Sequence, residues 1–340
     1  MSLQELAAVT QERQIACGLP IGDLRGFGRV RGDASIIQLA LDRHAGLLGQ
    51  IEAGRPLLSL AFDGAPVWVT AYVPGTNVLE STARTETGEL RVVDFMALAE
   101  GRPGQAEAIA AGRFVRLVTC TEGVLDFDLA CRVGIATECG SGRQASSATA
   151  GRAEAGWHVA CSRPLSFADG VATASVRLAA GESFAFVIAQ DAVQGGNALV
   201  ASALHALGDT IHYWTWWSDR CRYKGEDFDA VLREALGLKL GCSMAGLQID
   251  DPGATGFAAA PLGETTRAAD RFLDLGYRHE CVQLLDFVHR HSPSSGHGRW
   301  ACDEAFAATL ARYLDRYGDS GLTGSLREAA HVPPPQSRTG

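Results

Sequence analysis

No C-x-x-C pair occurs among the nine cysteines of this 340-residue chain. The ligand spacing of zinc ribbons and of thioredoxin-type redox sites is therefore absent, and buried, reduced thiols are the expected state. Cys281 stands near His279, His289 and His291, but their spacing on one helix matches no known zinc motif, and neither a metal nor another cofactor is expected. Lys and Arg are not in excess either: 30 basic residues face 39 acidic ones, for a formal charge of −9. That balance gives no electrostatic reason to bind nucleic acid or an anionic membrane surface. No apolar run reaches the length of a bilayer span, and the closest, Ser183 to Ile188, is strand-sized. Met1 to Gln14 carries Glu5, Glu12 and Arg13 and lacks a continuous apolar core, so a secretory signal is not expected and a cytoplasmic location is. A phosphate-binding loop is missing too. Glu138 to Glu154 is rich in Gly, Ser, Ala and Thr, but no Lys-Ser/Thr helix start follows it, and it reads as a hairpin or a mobile surface loop.

What is present fits a globular protein larger than one ordinary domain, with 46% apolar and 20% charged residues. From Cys17 to about Ile188, short apolar or alternating runs recur between Gly, Pro and Asp turn signals. They include Ser35 to Leu41, Leu57 to Phe62, Val67 to Val73, Val78 to Thr85, Phe114 to Cys120, Val124 to Ile135 and Val171 to Leu178. Many short strands without intervening helices argue for an antiparallel sandwich. After Ile188 the period changes to i, i+3, i+4, which predicts helices over Asn197 to Gly208, Thr210 to Tyr223, Phe228 to Ser243, Thr265 to Leu275, Glu280 to His291 and Ala301 to Tyr317. The expected order is thus a β domain over 1–190, a helical linker over 191–225, a helical domain over 226–330 and a Pro-rich, disordered tail over 331–340.

Five segments, in this order, resemble one family. They are Ile21-Gly22-Asp23 with Gly32-Asp33-Ala34-Ser35-Ile36; Tyr72-Val73-Pro74-Gly75-Thr76-Asn77-Val78-Leu79-Glu80; Val92-Val93-Asp94-Phe95-Met96; Trp217, Cys221, Tyr223 and Gly225; and Leu238-Lys239-Leu240. They look like the I-G-D and D-G-S-I, Y-x-P-G-T-N-V-L-E-T, V-T-D-F-M, W-x-x-x-C-x-Y-x-G and L-K-L of the bacterial glucoamylase and trehalase-like enzymes of glycoside hydrolase family 15. The resemblance covers roughly Leu19 to Leu322. It implies an N-terminal super-β-sandwich, a helical linker and an (α/α) barrel.

The departures fall on the chemistry. Gly246-Leu247-Gln248-Ile249-Asp250-Asp251-Pro252 looks like the start of the family's G-A-I-V-A-A-P segment, with two alanines replaced by aspartates. The W-D-Y-R stretch that lines the family's sugar subsite is absent. Counting back from Leu275-Gly276-Tyr277 sets Glu264 where the family's sugar-binding Asp stands and Gly263 where its Arg stands. Gly298-Arg299-Trp300-Ala301 is similar to the G-I-W-E that carries the family's acid, with Ala301 in place of Glu. The segment bearing the general base has no counterpart, and the resemblance implies a barrel truncated after four or five helices.

Hydrolysis of a glycoside needs two carboxylates across the sugar, one protonated and one ionised; the resemblance supplies neither, so hydrolysis of glucan or trehalose is not expected. Asp250, Asp251 and Glu264 are the candidate catalytic residues. Adjacent carboxylates repel, which favours keeping one protonated near neutrality, although Asp-Pro is also ordinary turn chemistry and Glu264 also suits a helix N-terminus. Trp300, His291, His297 and Asp303 are the candidate substrate-binding residues: Trp300 to stack a flat ligand, the histidines to move protons or simply to sit on the surface. Trp216 and Trp217 read as core or linker packing. Three functions remain in competition: a small-molecule acid/base enzyme for cyclisation, elimination or isomerisation; a non-catalytic carbohydrate-binding or scaffold protein; and a residual glycosidase. The helix faces that a truncated barrel leaves uncovered predict a homodimer or higher homo-oligomer.

Overall fold

The computed structural model describes residues 18–42, 49–50, 55–99, 109–132, 148–152, 157–243, 246–251, 256–292, 294–295, 299–300 and 304–330. The chain is mixed β and α and divides into two compact units, Met1–Trp216 and Trp217–Gly340.

The first unit carries strands β1 (Leu19–Gly22), β2 (Phe27–Val30), β3 (Ile36–Ala40), β4 (Gly49–Gln50), β5 (Leu58–Phe62), β6 (Val67–Tyr72) and β7 (Leu79–Arg84). It continues with β8 (Gly88–Ala99), β9 (Ile109–Cys131), β10 (Ala148–Arg152), β11 (His158–Ala168), β12 (Val171–Ala179) and β13 (Ser183–Ala189). These strands form one 13-stranded antiparallel network. Its axis is β9, which pairs with β8 and β13 over its first half and with β5 and β12 over its second. Residues 114–120 and 124–131 therefore belong to one strand and not to two. The turn signal at Gly123 marks a bulge: Glu89 faces Glu122 while Leu90 faces Cys120, leaving Thr121 as the extra residue, and Gly123 supplies the left-handed φ of +73° that the kink requires. Alternation is plainest in β12, whose Ala172, Ala174, Val176 and Leu178 are buried while the residues between them face out. Those side chains join Ile21, Ile36, Leu58, Val92, Phe114, Phe127, Phe184 and Phe186 in the core of the unit.

Helix α1 (Ala198–Ser218) runs unbroken through Gly208, where two helices are expected from the sequence. A glycine inside a helix costs only about 1 kcal/mol relative to alanine. Thr210 holds the helix on the sheet: its hydroxyl donates to the Ala206 carbonyl at 2.7 Å and accepts the Leu98 N–H at 3.0 Å.

The second unit contains α2 (Phe228–Gly241), β14 (Cys242–Ser243), β15 (Gly246–Asp251), β16 (Gly256–Ala259), α3 (Leu262–Leu275), α4 (Arg278–His291), β17 (Ser294–Ser295), β18 (Arg299–Trp300), α5 (Glu304–Tyr317) and α6 (Gly324–Ala330). The helices match their apolar periodicity: α3 buries Ala268, Ala269, Phe272, Leu273 and Leu275, and α4 buries Cys281, Leu284, Leu285 and Val288. Between them Gly276 closes α3 in the left-handed conformation, φ +90°, with its N–H on the Leu273 and Phe272 carbonyls. Among the described residues no helix is long and apolar enough to cross a membrane. The predicted tail, 331–340, lies outside the described residues.

Candidate functional site

The acidic residues singled out by the sequence fall on one hairpin and the helix that follows it. β15 and β16 pair from Gln248 opposite Ala259 to Asp251 opposite Gly256, which sets Asp250 against Phe257, one pair from the end at which the two strands connect. The second strand of the pair begins at Gly256, and Ala260 N–H then donates to the Leu247 carbonyl at 2.9 Å. Pro261 caps α3, accepting the Glu264 and Thr265 N–H groups at 3.0 Å each. Glu264 thus stands in the first helical turn, where the helix dipole favours a carboxylate. Its side chain points to the surface, 3.6 Å from the Arg267 guanidinium.

The candidate ligand-binding residues lie farther along the chain. His291 ends α4, where it is exposed; its ring stacks on Phe287 at 4.1 Å and Nδ1 is 2.9 Å from the Phe287 carbonyl oxygen. Trp300 belongs to β18, its backbone opposite Ser294. His297 and Asp303 lie outside the described residues. Among the described residues no group of three or more His, Cys, Asp or Glu has the geometry to hold a metal ion.

The most constrained polar group of the second unit is one the sequence did not single out, Glu280. It sits on the buried stripe of α4 beside Cys281, Leu284 and Leu285 and is 1% exposed. Three donors converge on its Oε1: the Trp217 indole N–H at 2.7 Å, Lys239 Nζ at 2.9 Å and Arg220 Nη2 at 3.5 Å. Burial alone would raise the pKa of this carboxyl, but Lys239, the Trp217 hydrogen bond and Arg220 together hold it at about 2. The carboxylate is ionised throughout the physiological range. It locks helices together and has no proton to give. Trp217 in turn lies flat on Tyr277, and burial, with Cys221 and Glu280 beside it, pushes the Tyr277 phenol far above its usual value. Trp217 of W-x-x-x-C-x-Y-x-G and Lys239 of L-K-L therefore meet at one buried acid, with Tyr277 stacked on the indole and Cys221 beside Tyr277. The signal that marks Glu280 in the sequence is a charged residue on an otherwise apolar helical stripe.

The first unit has a counterpart. Asp94 of β8 and Arg116 of β9 are register partners, both at most 1% exposed, and bind through two parallel contacts of 2.7 Å. The same guanidinium donates to the Ala34 carbonyl, in a turn where Ala34 itself is left-handed at φ +57°. Burial pushes the Asp94 carboxyl upward against the pull of Arg116. Leu79 is the other strand partner of Asp94, and Thr76 and Asn77 just before it are buried. The Gly32–Ile36 and Val92–Met96 segments thereby share one polar centre, and Leu79 of the Tyr72–Glu80 segment pairs beside it in the sheet. Two open depressions of about 370 and 360 Å³ lie on this unit, one lined by Asp63, Asp126, Asp128 and Arg177 and the other by Val67, Val69, Arg84 and Glu89. Neither includes a residue singled out for catalysis. Compared with known proteins, the chain matches no family model, and no curated protein matches it.

Proposed function

We propose that this chain is a divergent relative of the family 15 glycoside hydrolases that no longer hydrolyses glycosides and acts on a small molecule by acid/base chemistry. In this reading the first unit is a super-β-sandwich, the second is the opening part of an (α/α) barrel, and the protein works in the cytoplasm. The observation that carries the proposal is the convergence of separate family-like segments on two buried polar centres, Glu280 and the Asp94–Arg116 pair. Segments kept only by chance would have no reason to share partners. Loss of hydrolysis is supported within the chain by Gly263 and Glu264 at the subsite positions of the family's Arg and Asp, and by the absence of W-D-Y-R.

The chemistry is assigned to Asp250, Asp251 and Glu264, on a hairpin that runs straight into a helix N-terminus. One carboxyl donates a proton to the substrate and a second, ionised, removes one, as cyclisation, elimination or isomerisation requires. Removal of a general acid or base typically costs 10²- to 10⁴-fold in rate. Asp250→Asn, Asp251→Asn and Glu264→Gln are expected to lose activity in that range while folding normally; unchanged turnover in all three would sink the assignment.

A second reading, a non-catalytic carbohydrate-binding or scaffold protein, is favoured by the surface pairing of Glu264 with Arg267. It predicts saturable binding of oligosaccharide without turnover. The third, a residual glycosidase, predicts sugar release from aryl glucosides, trehalose or maltose.

A further inference from the structure

We draw no further inference here: the strongest candidate, the pair of guanidiniums of Arg222 and Arg278 over the Tyr317 ring at the C-terminal end of α5, carries no anion site, because Arg278 is already engaged by the Tyr313 and Ser320 hydroxyls and the negative end of the α5 dipole accounts for both cations.

Discussion

Trp217 and Tyr277 lie face to face, ring centroids 3.9 Å apart and planes within 3° of parallel, and the same indole donates to Glu280 Oε1 at 2.7 Å. The stack fixes the ring plane, and the ring plane aims the N–H at a carboxylate that two cations already hold. One aromatic residue thereby joins apolar packing to the electrostatic centre of the second unit. Replacing a buried ion pair with apolar groups is often neutral, whereas removing one member leaves an uncompensated charge.

Glu280→Gln is therefore expected to destabilise the protein by roughly 3–5 kcal/mol, measured by urea unfolding. Adding Lys239→Met to Glu280→Gln should restore part of the loss, because the stranded ammonium is removed; a double variant no more stable than the single one would argue against the pair as its source.

Acid should act through the same carboxyl. Its pKa in the folded chain, about 2, lies below the ordinary 4.5, so its stabilisation is complete above pH 4.5 and disappears as pH falls towards 2. Asp286, held low against its burial by Thr323, Ser325 and Arg290, works in the same direction. Asp94, pushed up by burial, works in the opposite one. The stability difference between wild type and Glu280→Gln isolates the Glu280 contribution, and it should shrink steadily between pH 4.5 and 2. A difference that is flat across that window would contradict the depressed pKa.

Gly276→Ala tests the junction between α3 and α4. The left-handed conformation costs a non-glycine residue about 1 kcal/mol, and the new Cβ would lie 2.7 Å from Arg222 Cδ and Cγ. A loss of about 1–2 kcal/mol in the same urea measurement is expected, with Arg222 displaced from its place over Tyr317.

The strands of the first unit and the helices of the second were legible because each buries one face, and burial writes period 2 into β12 and period 3.6 into α3 and α4. The strand was expected to break over 121–123 and the helix between Gly208 and Thr210, because a bulge and an internal glycine resemble chain ends locally; only the pairing of Glu89 and Leu90 with Glu122 and Cys120, and of Thr210 with Leu98, shows that the elements continue. The hairpin of β15 and β16 was hidden in a Gly/Ala-rich stretch with little β propensity. Glu280 and Arg116 escaped notice for another reason. Their partners stand 41 and 22 residues away, and long-range pairing leaves no local pattern. Asp250, Asp251 and Glu264 were visible as acids, and their shared hairpin–helix segment emerged only with the strand register.

Conversion of a small-molecule library containing trehalose, maltose and aryl glucosides, followed by mass spectrometry for wild type, Asp250→Asn, Asp251→Asn and Glu264→Gln, tests the central claim most directly. The account predicts no sugar release by any of the four proteins, together with a non-hydrolytic conversion by wild type that the substitutions suppress at least 100-fold. Glucose release by wild type, or a conversion that all three substitutions leave intact, would contradict it.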